Sequence, residues 1–316
     1  MTPVSFLRFF DQSDIIIGEG AVIERLRRDT EWELDPYVVN SAFIYDDEKR
    51  LVLENIYRQY LDVGLASDLP LLLSTPTWRA SRERVKAAGF EARAVNEDNY
   101  RFLDDLRRAY GAYGDKVAIC GLMSCRGDAY KPAERLSEDD ARVFHSWQAR
   151  KLSETGVDFL LASTLPALSE AIGLAFAQAA TGKPYIISFV FRPGGTLLDG
   201  TPLKDAVAAI DAKVDPKPLA YMCNCTHASI FRSAMMHKAH VSSLVRKRVI
   251  GLLANTAALE PEELDSSKDL VEEAPETFGR DVASLHTEFR MKILGGCCGT
   301  DQRHIRSLAS HFETLS

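Results

Sequence analysis

The chain has 316 residues, 46% hydrophobic and 26% charged, the composition of an ordinary globular protein. Its formal net charge is −7, with 38 basic residues interspersed among 45 acidic ones, so no basic face suited to nucleic acid is expected. No apolar run approaches a membrane span, and Met1-Thr2-Pro3-Val4 leads into mixed polar sequence with no basic start and apolar run. A cytoplasmic chain with neither a membrane nor a nucleic-acid partner is therefore expected.

In chain order, short apolar runs alternate with longer amphipathic ones. Strands are expected over 15–20, 69–75, 117–122, 159–164, 185–190, 219–225, 249–255 and 292–297. Each is mostly apolar, as strands buried on both faces are. The segment 47–64 carries Leu53, Ile56, Tyr57, Tyr60 and Leu61 at helical spacing. A second helix is expected over 81–89, ending on a glycine. The stretch 137–156 opens Ser-Glu-Asp-Asp, an N-cap followed by first-turn acids that complement the helix dipole. Helices over 201–213 and 301–312 complete the clearer cases. The acidic stretch 260–276, with Pro261 and Pro275, reads as a surface excursion, a cover over a site or a partner contact.

Eight strands alternating with helices predict an α/β chain, a single (β/α)₈ TIM barrel over residues 1–316. The competing architecture is a doubly wound open sheet, which usually places a Gly-rich phosphate turn after its first strand. Here that strand ends Gly18-Glu19-Gly20-Ala21, without the full dinucleotide fingerprint.

The barrel puts Cys225 at the C-terminal end of strand six, and Cys297 and Cys298 at the end of strand eight. Catalytic groups in barrels gather at that rim, contributed by several strands. Gly295, Gly296 and Gly299 let the backbone bend so that neighbouring thiolates face one ion. Three thiolates hold a zinc ion and leave its fourth tetrahedral position open, as a catalytic zinc requires. The competing readings are a strained Cys297–Cys298 disulfide, a Cys225 bridge suited to an exported protein, and ordinary buried thiols. Cys223 shares strand parity with Cys225, so both are expected to face the barrel interior, Cys223 as packing. Cys120 and Cys125 lack metal spacing. Trp32, Trp147 and the Met235-Met236 pair are expected in cores. His227 reads as a helix-start polar residue, or as support behind the metal ligands.

Along nearly its whole length the chain resembles the homocysteine S-methyltransferase family. The resemblance rests on Gly18-Glu19-Gly20, Ser74-Thr75-Pro76-Thr77-Trp78, Gly156-Val157-Asp158-Phe159 and Leu198-Asp199-Gly200-Thr201-Pro202-Leu203. It continues through Asn224-Cys225-Thr226, Asn255 and Gly295-Gly296-Cys297-Cys298-Gly299-Thr300, then His304-Ile305. What it implies is a zinc-dependent barrel that methylates a thiol acceptor, usually homocysteine, giving methionine. The metal ligands would be Cys225, Cys297 and Cys298, and the acceptor would meet Glu19, Thr75, Ser163, Asn224 and Asn255. The methyl donor would be a small molecule carrying a sulfonium, a reduced folate or a corrinoid-borne methyl.

Three positions depart from the family pattern. Ser163 stands where members typically carry an acid that anchors the substrate ammonium. Glu19 replaces a shorter Asp, and Cys125-Arg126 replaces a Gly-Pro pair. Arg79 beside Trp78 disfavours betaine, because a guanidinium repels a trimethylammonium. Arg126 and Arg192, near rim loops, are expected to recognise carboxylate or phosphate, or to be solvated. The alternatives are a non-catalytic zinc-binding barrel and a methyltransferase acting on another thiol or a selenol.

Overall fold

The computed structural model describes residues 3–29, 31–259 and 273–313. Eight parallel strands pair in sequence order and close into a barrel, with β8 beside β1. They are β1 Ile16–Gly18, β2 Leu71–Ser74, β3 Val117–Ser124, β4 Phe159–Leu165, β5 Tyr185–Phe189, β6 Ala220–His227, β7 Val249–Asn255 and β8 Ile293–Gly296. The expected (β/α)₈ architecture is thus present, and all eight expected strands are strands. Several are trimmed at the rim, where Glu19, Thr75 and Cys297 leave the ladder.

All five expected helices form: α3 Asp47–Ser67, α4 Arg82–Ala87, α6 Glu138–Ser153, α8 Leu203–Lys213 and α12 Gln302–Ser310. Ser137 caps α6 through its side chain, which accepts from Asp140 N. The remaining helices are α1 Pro3–Gln12, α2 Ile23–Arg28, α5 Val95–Ala109, α7 Leu168–Ala179, α9 Ala228–Met236, α10 Ser243–Arg248 and α11 Pro275–Phe289. Most of the acidic stretch 260–276 lies outside the described residues.

Strand alternation divides the apolar residues into two layers. Ile17, Leu71, Leu73, Val117 and Ile119 face outward and pack beneath the helices. Ile16, Leu72, Cys120, Phe159, Ile186 and Met222 face inward. Helix α1 closes the lower end of the barrel, with Phe6 stacked on Phe159 at 4.7 Å between ring centroids. Above this floor β1 and β8 approach closely. A Cβ on Gly295 would lie 2.6 Å from Gly18 Cα, so only glycine fits there.

Two strands break the alternation. The register slips between Ala162 and Leu165 in β4, and between Asn224 and Thr226 in β6. Thr164 and Cys225 adopt left-handed backbone at these slips, with φ of 60° and 53°. Each bulge presents two consecutive side chains to the interior: Ser163 with Thr164, and Asn224 with Cys225. Cys223 consequently does not share a face with Cys225. It packs outward among the helix-facing residues, which corrects the parity argument. Met235 is buried as expected, whereas Met236 is 62% exposed and belongs to no core.

Candidate metal centre and substrate cavity

The C-terminal rim surrounds a cavity of about 940 Å³. Its floor is the apolar plug formed by Leu122, Leu161 and Leu253. Glu19, Thr75, Ser163, Asn224, Asn255, Cys225, Cys297 and Cys298 all line it.

The three cysteines converge because of local backbone. The β6 bulge turns Cys225 inward. At the end of β8, Cys297 N donates to Ala254 O at 2.7 Å, and Cys298 N donates to Asn255 Oδ1 at 3.1 Å. Thr256 N then donates to Cys298 O at 3.1 Å, pinning the turn to β7. Gly299 closes this turn at φ +83°, and a Cβ there would meet Thr256 Oγ1 at 1.8 Å. The result places the three Sγ atoms within 4.8 Å of one another, with Cys225 and Cys297 only 3.0 Å apart. All six cysteines are free. Among the described residues no other cluster of His, Cys, Asp and Glu has metal-binding spacing.

The triad shares its protons unequally. Hydrogen bonds from Cys297, Cys298 and Tyr130 hold the Cys225 thiol well below its ordinary value, against the opposing effect of burial. Asn224 Nδ2 adds a contact to Cys225 Sγ at 3.4 Å. Donating to Cys225 and burial push Cys297 and Cys298 well above the ordinary value. Three thiols so placed, one of them already inclined to ionise, suit a thiophilic cation.

Glu19 is buried at the top of β1. Its Oε1 accepts from Ser74 N at 3.2 Å, and its Oε2 has no partner among the described residues. Burial pushes this carboxyl up to about 8. Asn255 likewise uses one end of its amide. Its Oδ1 is taken by Cys298 N, while Nδ2 is buried without an acceptor among the described residues. Asn224, by contrast, is saturated. Its Oδ1 accepts from Thr164 N at 2.9 Å and Ser188 Oγ at 2.7 Å, and its Nδ2 donates to Thr164 Oγ1 at 2.6 Å. It ties the two bulges together. Thr75 Oγ1 is bonded to Thr77 Oγ1 and accepts from Leu122 N. Ser163 Oγ lies 3.3 Å from Thr164 Oγ1, so the β4 wall is polar but uncharged.

Sequence reasoning missed Tyr130. It packs against the Val190, Leu198 and Cys225 cluster that Cys297 and Cys298 also meet, and the Cys225 charge together with burial raises its phenol far above the ordinary range. Tyr130 lies on the long β3–α6 connection, and no motif marks it. The signal available was Arg79. Its Nη1 donates to the carbonyls of Cys125, Arg126 and Gly127 at 3.0, 3.2 and 2.6 Å, clamping that connection. Glu170 grips the same connection from α7, accepting from Arg126 N at 2.6 Å and Leu136 N at 3.2 Å. The Arg126 side chain is exposed and meets Glu83 at 3.3 Å, away from the metal ligands. His227 caps α9, its Nδ1 accepting from Ser229 N.

The chain matches the family model described as homocysteine S-methyltransferase over residues 16–312. It belongs to the homocysteine S-methyltransferase family. Homocysteine S-methyltransferase YbgG of Bacillus subtilis is 25% identical across 100% of this chain and 99% of its own length. The Escherichia coli homocysteine S-methyltransferase is 24% identical over 94% of this chain and 95% of its own length. Bovine betaine–homocysteine S-methyltransferase 1 is 22% identical over 96% of this chain and 73% of its own length. Among solved structures, the metallated form of the Escherichia coli enzyme MmuM superposes with a TM-score of 0.73 at 20% identity, covering 97% of this chain and 99% of that one. This family member thus carries the barrel, a three-cysteine rim cluster and an uncharged β4 wall. No helix among the described residues is long and apolar enough to cross a membrane.

Proposed function

We propose that this chain is a zinc-dependent S-methyltransferase that methylates the thiol of homocysteine to give methionine. The observation that carries the reading is the convergence of Cys225, Cys297 and Cys298 beside a buried carboxyl with an unpartnered oxygen. Zinc held by these three thiolates supplies a Lewis acid that keeps an acceptor thiol deprotonated near neutral pH.

The chain's own residues orient the reaction. Glu19 receives the acceptor's ammonium at Oε2. Its carboxyl is pushed up to about 8 by burial, so at neutral pH the arriving ammonium displaces a proton to solvent. The apolar floor of Leu122, Leu161 and Leu253 takes the acceptor's methylenes. The acceptor thiol gives up its proton to solvent, and its sulfur attacks the donor methyl. With a sulfonium donor, the new S–CH3 bond forms as the old one breaks, and the bonding pair leaves with the donor sulfur, which becomes neutral. Methyl transfer of this kind needs alignment more than proton chemistry.

The methyl donor in this reading is a sulfonium, a reduced folate or a corrinoid-borne methyl. The Arg79 guanidinium covers one face of the Trp78 ring at 4.2 Å, so that face is not open to betaine's trimethylammonium. Six free cysteines support a reducing compartment, the cytoplasm. A second reading, the same chemistry on another thiol or a selenol, is favoured by the uncharged Ser163–Thr164 wall.

Metal analysis tests the assignment of the ligands. Protein purified without chelator should carry one zinc per chain, and Cys225→Ser, Cys297→Ser and Cys298→Ser should each lose it. Stoichiometric zinc surviving in the Cys297→Ser and Cys298→Ser variants would remove the proposal's basis.

A further inference from the structure

A buried carboxylate outside the cavity gathers the connection that forms one of its walls. The β3–α6 connection brings Asp128, Ala129 and Tyr130 to the rim. Its two ends, Arg126 and Leu136, both donate to Glu170, a buried residue in the first turn of α7. Arg126 N reaches Oε1 at 2.6 Å and Leu136 N reaches Oε2 at 3.2 Å. His145 Nε2 of α6 lies 3.0 Å from Oε1, so both oxygens are engaged. Burial would raise this carboxyl, but its bonds with His145, Arg126 and Leu136 hold it below the ordinary carboxylate value.

Buried ions are often replaced by apolar side chains of similar volume without loss of stability, so packing alone gives no reason for one here. Gly173 already brings α7 onto α6, since a Cβ there would collide with Glu138 O. What the charge adds is closure of the connection. The carbonyls at the same two ends are also taken, Arg126 O by Arg79 Nη1 at 3.2 Å and Leu136 O by Ser169 Oγ at 2.8 Å. Between the ends the connection braces itself. Asp128 N donates to Glu134 Oε2 at 3.0 Å, and Tyr130 N donates to Asp128 Oδ1 at 2.9 Å. Tyr130 sits on this braced loop, and its hydroxyl donates to Cys225. The tie at Arg126 belongs to this chain's Cys125-Arg126 pair, because the proline of a Gly-Pro pair has no N–H to give.

We infer that Glu170 is a positioning residue for methyl transfer: by holding both ends of the β3–α6 connection it keeps the Tyr130 hydroxyl on Cys225. It touches neither acceptor nor donor and acts through Tyr130. This rests on the reading of the cavity as a thiol-methylating site.

The test uses zinc-loaded full-length protein, with zinc content and circular dichroism recorded for every variant. Glu170→Gln keeps the shape but turns an amide donor toward one of the two N–H groups. Arg126→Pro removes one N–H and leaves the buried Glu170–His145 pair intact, so it serves if the first variant does not fold. Trypsin, applied well below the unfolding temperature, reads the connection at Arg135, which is exposed. Cleavage after Arg135 should accelerate on the order of tenfold in either variant, as expected for losing a charge-assisted hydrogen bond. With a methyl sulfonium donor, kcat/KM for homocysteine should fall on the order of tenfold at unchanged zinc content. Tyr130→Phe should cost about as much, and joining it to Glu170→Gln should cost no more. Unchanged cleavage after Arg135 would overturn the inference. So would losses from Glu170→Gln and Tyr130→Phe that multiply in the double variant, since Glu170 would then act on the fold and not through Tyr130. Failure of the unmodified protein to methylate homocysteine would instead sink the thiol-methylation reading, and the inference with it, whatever the cleavage shows.

Discussion

At the scale of single residues, Glu19 gives the sharpest expectation. Its carboxyl sits at about 8 when folded, against 4.5 when exposed. A raised folded value means that its contribution to stability is fully present below pH 4.5 and is lost as pH rises through 8. The slope is at most about 1.4 kcal/mol per pH unit within that window. Denaturant titrations between pH 5 and pH 9 should show the native chain losing stability faster with pH than Glu19→Gln. Parallel curves for the two proteins would show that Glu19 is not held protonated. Homocysteine binding below pH 8 should also release one more proton than 4-mercaptobutyrate, which brings no ammonium to Glu19.

The residues of the cavity differed in how openly the sequence displayed them. Cys297-Cys298 announced itself, because adjacent cysteines between glycines have few ordinary uses. Glu19 was marked by its place after an apolar strand. The proton state of Glu19 and the unused end of the Asn255 amide were not legible, since both depend on which backbone N–H groups arrive from β2 and β8. Tyr130 was invisible for a related reason. It reaches the thiols only because Arg79 and Glu170 fold its connection over the rim.

At the scale of elements, the bulges in β4 and β6 matter most. Period-two alternation, correct along most of the barrel, sends Cys223 inward, whereas the left-handed Cys225 reverses that parity. No composition cue marks such a bulge, because Thr164 and Cys225 are not glycines. What holds the bulges is Asn224, whose amide bonds both of them. The outer layer has its own polar anchor at the start of β4. Asp158 is fully buried, accepts from Ile119 N at 2.8 Å and pairs with Arg107 at 2.9 Å. Asp158→Ala leaves that guanidinium without a partner it was buried against. It should destabilise the fold by about 3–5 kcal/mol while leaving zinc content per folded chain unchanged. Thermal unfolding paired with metal analysis checks both halves. A near-neutral substitution would mean that Asp104, which also meets Arg107, suffices alone.

At the scale of the whole molecule, the barrel was the most legible property. Strand-length apolar runs separated by helix-length amphipathic ones leave few architectures, and the missing dinucleotide turn removes the main competitor. Helix α1 was not foreseen, because a plug at the barrel floor has no requirement beyond aromatic bulk such as Phe6 supplies. The core also predicts what the metal does not do. Its inner and outer apolar layers are complete without a rim ion, unlike a small zinc domain that folds only around its metal. Chelation should therefore leave the far-ultraviolet circular dichroism unchanged while abolishing methyl transfer. Loss of helical signal on chelation would make the ion a structural one.

The central claim is that three rim thiols assemble a metal site for methylating homocysteine. Its most direct test is methionine formation by the chelated protein, with homocysteine and a methyl sulfonium donor, as zinc is added back. The rate should climb from near zero to a plateau at one zinc per chain, and Cys298→Ser should stay flat throughout. Methionine formed at full rate by the chelated protein, or none at any zinc level, would contradict the account.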